Sequence, residues 1–131
     1  MKLLLCALLL TLLPTAAAAG WVRAGGNANV VCYADPDTLT REGNLARMRN
    51  LLDFTKPQTE RSIGNKPYLS QREEREYDCR NERYRLLRFS LRSGRMFAGE
   101  RVSSGADDGE WAPVTPGSLG EALWKTACGK K

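Results

Sequence analysis

Histidine is absent from all 131 residues. That removes the commonest general base near neutral pH and the commonest metal ligand. Cysteine is scarce, with four in the chain. No two of them are spaced C-x-x-C, so a thiol redox motif of that kind is excluded. No glycine-rich phosphate loop, nucleophile elbow or metal-ligand spacing occurs. Acidic residues number 15 against 20 basic ones, for a net charge of +5. The two signs are interleaved, and no basic module with aromatic platforms is present, which excludes a nucleic-acid-binding signature. Long hydrophobic runs are missing except at the amino end, and that one falls short of the ~20 residues of a membrane-spanning helix. Together these absences speak against an enzyme and against a cofactor, and they leave binding or structural roles.

What is present begins with a leader. Lys2 precedes an apolar run from Leu3 to Leu13 interrupted only by Thr11; Pro14 and Ala16 to Ala19 come after it. Residues 1–19 therefore read as a secretory signal peptide cleaved after Ala19, which discards Cys6 and leaves a single domain over 20–131. The expected location is the periplasm, with secretion as the further possibility. About 110 residues bury a modest core, and an oxidising compartment permits disulfides to supplement it.

Trp21 to Ala24 reads as a first strand and Gly25-Gly26-Asn27 as a turn. Val30 to Ala34 is a β-branched and aromatic strand, stopped by the turn chemistry of Asp35-Pro36-Asp37. Thr38 to Thr40 is a brief extended piece. Leu45 to Phe54 fits two periods: Met48, Leu52 and Phe54 align at period two, and Leu45, Met48, Leu51 and Leu52 at 3.6. The Gly43-Asn44 pair ahead of it favours a hairpin strand. Lys56 to Lys66 reads as a loop. Tyr68 to Cys79 is a strand with a mainly solvated middle, or a helix over Ser70 to Tyr77 capped by Ser70 and Glu73. Arg83 to Ser93 alternates cleanly as a half-buried strand. Arg95 to Val102 is its expected partner strand, and Ser103 to Glu110 a polar loop. Pro116-Gly117-Ser118 then opens a helix from Leu119 to Cys128, with Ser118 and Glu121 as a capping box and Gly129 as the stop. The fold class is α+β: one antiparallel sheet of about five to six strands with a carboxy-terminal helix packed on it.

Cys79 ends the charged strand and Cys128 ends the helix, so a Cys79–Cys128 bridge ties helix to sheet. Cys32, inside an apolar strand, then reads as a buried free thiol, with an intermolecular bridge or a different internal pairing as the alternatives. The acidic cluster Glu73, Glu74, Glu76 and Asp78 is interleaved with Arg72, Arg75 and Arg80, and reads as a solvated, salt-bridged strand face rather than an acid–base pair. Asp35 and Asp37 read as turn caps, and Asp107, Asp108 and Glu110 as a flexible loop rather than a cation site. Trp111 reads as a core plug at the helix entry. The possible binding surface is the basic strip Arg83, Arg85, Arg88, Arg92 and Arg95. Alternation puts Arg88 and Arg92 on one face and Arg83 and Arg85 mostly on the other. Such a strip attracts an acidic protein, a glycan or lipid headgroups.

Several short motifs in order resemble the surface-adhesin protein E family of small exported bacterial proteins. They are Tyr33-Ala34-Asp35 with Thr38, Leu52-Asp53-Phe54, Tyr68-Leu69-Ser70 and Glu76-Tyr77-Asp78-Cys79. Trp111-Ala112-Pro113-Val114 comes next, running into Pro116-Gly117-Ser118, and then Leu123 to Cys128. The resemblance implies an antiparallel sheet with a packed helix, and so favours strands over Leu45 to Phe54 and Tyr68 to Tyr77. It places the family's cysteine pair on Cys79 and Cys128; Cys32 is additional to it. The family's name-giving member is a lipid-anchored adhesin for host matrix and serum proteins that can dimerise. This chain carries no lipobox, which places it free in the periplasm or secreted. The functional expectation is a non-enzymatic envelope protein that binds a protein or glycan as a monomer or homodimer. The alternative is a structural or stress-related periplasmic protein with no external ligand.

Overall fold

A computed structural model describes residues 20–107 and 109–130. The leader, its cleavage site and Cys6 lie outside the described residues, as does Asp108.

The strands are β1 (Val22–Gly26), β2 (Val30–Glu42), β3 (Leu45–Gln58), β4 (Tyr68–Asp78), β5 (Arg83–Arg92), β6 (Arg101–Ala106) and β7 (Ala112–Pro113), followed by helix α1 (Leu119–Cys128). β1 to β6 form an antiparallel meander in chain order, and β7 adds to β5. The sheet curls as a half-barrel. Period two governs Leu45 to Phe54, and β3 extends beyond it to Gln58. Gly43, at φ 58°, makes the left-handed turn of the β2–β3 hairpin.

The apolar face of the sheet carries Cys32, Ala34, Ala46, Met48 and Tyr77, all buried under Leu123, Trp124 and Ala127 of α1. Ser118 caps the helix by accepting from the Glu121 amide (3.1 Å), and Gly129 ends it at φ 66°. Trp124 donates its indole N–H to the Asp78 carbonyl (2.9 Å). The Cys79–Cys128 disulfide fixes the same corner, with Cα atoms 5.5 Å apart. Cys32 is a buried free thiol, and burial raises its pKa.

Several local readings are corrected. β1 runs on through Gly25 and Gly26 instead of turning there. A Cβ at Gly25 would sit 3.1 Å from that of Ala122, so the missing side chain lets α1 approach the strand. Asp35-Pro36-Asp37 does not stop β2 but forms a bulge, with the register against β3 slipping between Asp35 and Thr40. Thr38 spans the bulge: its hydroxyl donates to the Asp35 carbonyl (2.7 Å) and accepts from the Arg49 amide (2.9 Å). A bulge tolerates Pro36, which has no N–H to give.

Of the expected partner strand Arg95 to Val102, only Arg101 and Val102 join the strand beside β5, where Arg101 pairs with Arg92. Arg95–Phe97 is a short 3₁₀ turn, with Met96 and Phe97 at left-handed φ of 52° and 63°. β6 begins at Arg101 and takes up Ser103 to Ala106 from the expected loop. Side chains of the sheet pull the turn over the strand ends. Asp53 accepts from the Arg95 guanidinium (2.7 Å) and from the Met96 amide (2.8 Å). Ser70 donates to the Gly94 carbonyl (2.6 Å) and accepts from the Phe97 amide (2.9 Å). Asp53 and Ser70 are buried, so these bonds satisfy groups that would otherwise be costly.

Candidate functional site: an arginine face

The sheet face opposite α1 is built from charge. Directly paired residues in neighbouring strands share a face, and the register places four arginine-bearing rows across it. The first is Arg47–Glu76–Arg85. The second is Arg49–Glu74–Arg88, continuing to Ala106 of β6. Farther on, Arg72 pairs with Ser90, and Arg92 with Arg101.

A bulge in β5 produces this alignment. Arg75 pairs with Leu86 and Glu74 with Arg88, so Leu87 is the extra residue. It inverts the alternation between the two ends of the strand. Arg83 and Arg85 consequently share a face with Arg88 and Arg92, and the expected division of the four between opposite faces is corrected.

The first row is closed. Glu76 accepts from Arg47 Nε at 2.6 Å and from Arg85 Nη2 at 2.5 Å, and is itself buried. Burial opposes ionisation of Glu76, but the Arg47 and Arg85 hydrogen bonds outweigh it and hold the carboxyl below its usual range. Asp78 accepts from Asn81 Nδ2 (2.9 Å), from the Arg80 and Asn81 amides, and from Arg83 Nε (3.0 Å). The Asn81 side chain leads the causes that hold its carboxyl at about 2. Trp111 lies against both Arg83 and Arg85, each guanidinium carbon 4.5 Å from its ring centre. It is half-buried on the charged face and not the core plug expected; Trp124 fills the core.

The acidic cluster of β4 is therefore not a solvated face. Glu73, Glu76 and Asp78 are buried, and Glu73 points to the helix side, where it meets Arg75 at 2.8 Å. Among the described residues no group of three acidic or cysteine side chains could hold a metal ion.

The far end of the charged face is open. Arg49, Arg72, Arg88, Arg92 and Arg101 line a groove of about 660 Å³ with Glu74, Ser90, Ser104 and Ala106. Among the described residues none of these five arginines is within ion-pairing distance of a carboxylate. The Phe97 ring is held between Arg72 (4.2 Å) and Arg92 (4.8 Å), contacts that fix the guanidiniums without neutralising them. Arg92 also donates to the Gly99 carbonyl (3.0 Å). Burial, then the charges of Arg49 and Arg92, lowers the pKa of Arg72.

Of the arginines expected as a binding strip, the structure brings Arg88 and Arg92 to the groove. It closes Arg83 on Asp78, Arg85 on Glu76 and Arg95 on Asp53. Arg49, Arg72 and Arg101 are outside that strip, because they lie on three other strands and join only through the register.

The surface-adhesin protein E family model matches residues 21–129. The chain belongs to the surface-adhesin protein E family. Among solved structures it is similar to protein E from non-typeable Haemophilus influenzae, at 16% identity and a TM-score of 0.62, over 88% of this chain and 80% of that one. The selenomethionine form of Haemophilus influenzae protein E gives a TM-score of 0.64 at 16% identity, over 88% of this chain and 91% of that one. These likenesses are of fold. No curated protein sequence matches the chain.

Proposed function

We propose that this protein is an exported, non-enzymatic, adhesin-like domain of the cell envelope that holds another macromolecule on the sheet face opposite α1. The observation that carries the reading is the groove of five arginines that make no ion pair among the described residues. Guanidiniums gathered without ion-pair partners suit recognition of anionic groups. Family membership supports the same direction. Residues 1–19 are the cleaved leader in this reading, and amino-terminal sequencing of the exported protein should begin at Gly20.

Biolayer interferometry against matrix proteins and envelope extracts tests the binding function. Saturable binding, weakened by Arg88→Glu with Arg101→Glu at an unchanged unfolding midpoint, is the expected result. Absence of any saturable partner, or binding indifferent to both charge reversals, would sink the assignment.

A further inference from the structure

We propose that the groove binds a segment of a sulfated polysaccharide, with its sulfate groups set against Arg49, Arg72, Arg88, Arg92 and Arg101. This rests on the reading of the charged face as the binding face and names its ligand class.

Three kinds of anionic partner compete for such a surface, and the lining separates them. A protein interface needs aromatic or aliphatic anchors that enter pockets and lose their water. The groove lining offers none free to do so: Ala106 is small, Phe89, paired with Glu73 and Gly105, projects to the helix side, and the neighbouring Phe97 ring is held between Arg72 and Arg92. A lipid surface needs protruding apolar side chains beside a basic rim. The exposed large hydrophobic residues are Val22, Leu39 and Met96, and none of them lines the groove. What remains is a hydrophilic ligand of high charge density.

The geometry suits a polymer. The five guanidiniums come from β3, β4, β5 and β6, so the array is about 14 Å wide at ~4.8 Å per strand. That width meets several sugar units of one chain together. Glu74 is the one carboxylate lining the groove from the same face, since Glu73 is engaged by Arg75 on the other side. Matching that excess within so short a span calls for more than one anionic group per repeat, which sulfation supplies and uronic acid alone does not. Ser90 and Ser104 give the floor hydroxyls to pair with sugar oxygens.

The test is calorimetric titration of the exported protein with a heparin octasaccharide and with the same octasaccharide chemically desulfated. Polyglutamate and phosphatidylglycerol vesicles complete the panel. Saturable binding of the sulfated form alone is expected. Arg88→Gln and Arg101→Gln should each weaken it about tenfold, the loss of one charge-assisted contact. Arg41→Gln, outside the groove, should leave it unchanged. No binding of the octasaccharide overturns the inference. So does equal binding of its desulfated form, polyglutamate or vesicles, or an equal loss from Arg41→Gln. If a protein partner binds through Arg88 and Arg101 while the octasaccharide does not, the ligand class fails and the binding face stands. If nothing binds, both fail.

Discussion

Two neighbouring rows of one sheet face carry the same pattern, Arg–Glu–Arg, and end in different states. In Arg47–Glu76–Arg85 the carboxylate is buried and bonded to both arginines. In Arg49–Glu74–Arg88, Glu74 is half-buried and pairs with neither. Between them β5 takes in the extra Leu87, which bends the strand and re-aims the side chains from Arg88 onward. On the near side the disulfide, Trp124 and Trp111 all gather around the ends of β4 and β5. On the far side, among the described residues, no carboxylate comes within ion-pairing distance of the five groove arginines. Residue type alone thus does not say whether an arginine is structural or available; its register does.

The closed end should carry most of the stability, and its largest single element is the bridge. Separating Cys79 from Cys128 by Cys79→Ala reopens a loop of 49 residues. The chain-entropy relation puts the cost at about 4 kcal/mol. Urea unfolding of Cys79→Ala and its parent measures it, and equal midpoints would mean that the corner holds without the bond.

The matched glutamates come next. Glu76→Gln leaves two guanidiniums facing a neutral group, and should cost about 3 kcal/mol, the low end for a broken buried pair because Arg47 and Arg85 reach solvent. Glu74→Gln should change stability by no more than about 0.5 kcal/mol. Similar losses in the two variants, read from unfolding midpoints with unchanged slopes, would erase the distinction between the rows.

A smaller effect belongs to pH. The carboxyl of Asp78 titrates at about 2 in the folded protein, against an ordinary value of 3.8. A depressed pKa contributes stability that is complete above the unfolded value and is lost as pH falls through the folded one. The parent should therefore weaken from just above pH 4 down to about 2. Asp78→Asn, less stable at neutral pH, should lose less over that interval. Parallel acid limbs for the two proteins would place the linkage elsewhere.

The global fold is legible in the sequence because its signals are local. Alternation marks β5, the Ser118–Glu121 pairing and Gly129 bound α1, and Gly43 marks a hairpin. The Cys79–Cys128 pairing draws on the ends of two such elements. The face of charge is less legible because it depends on registration between strands. Nothing near Leu87 announces a bulge, yet that residue decides which side Arg83 and Arg85 share. Period two alone separates them from Arg88 and Arg92. Arg49, Arg72 and Arg101 are far apart in sequence and adjacent only across β3 to β6. The β5–β6 link is hidden for a similar reason: Arg95 to Phe97 turns because Asp53 and Ser70, on other strands, bond its backbone and side chain. Pro36 is legible as a break in regular pairing, but not as a bulge that Thr38 bridges.

The smallest expected effect is the most discriminating. Arg88 is exposed and lies opposite Glu74 without an ion pair, with like charges around the same groove. Arg88→Gln removes one member of a repelling group and no hydrogen bond within the described residues. Its unfolding midpoint should therefore match the parent to within about 0.5 kcal/mol. Adding salt screens repulsion among exposed charges, so the parent should gain slightly more stability from salt than Arg88→Gln does. A clear destabilisation would show that Arg88 contributes to the fold as Arg85 does, and the open end would then be structural as well. An unchanged midpoint together with weaker anion binding separates the two roles, because the same substitution then costs a ligand contact and no part of the scaffold.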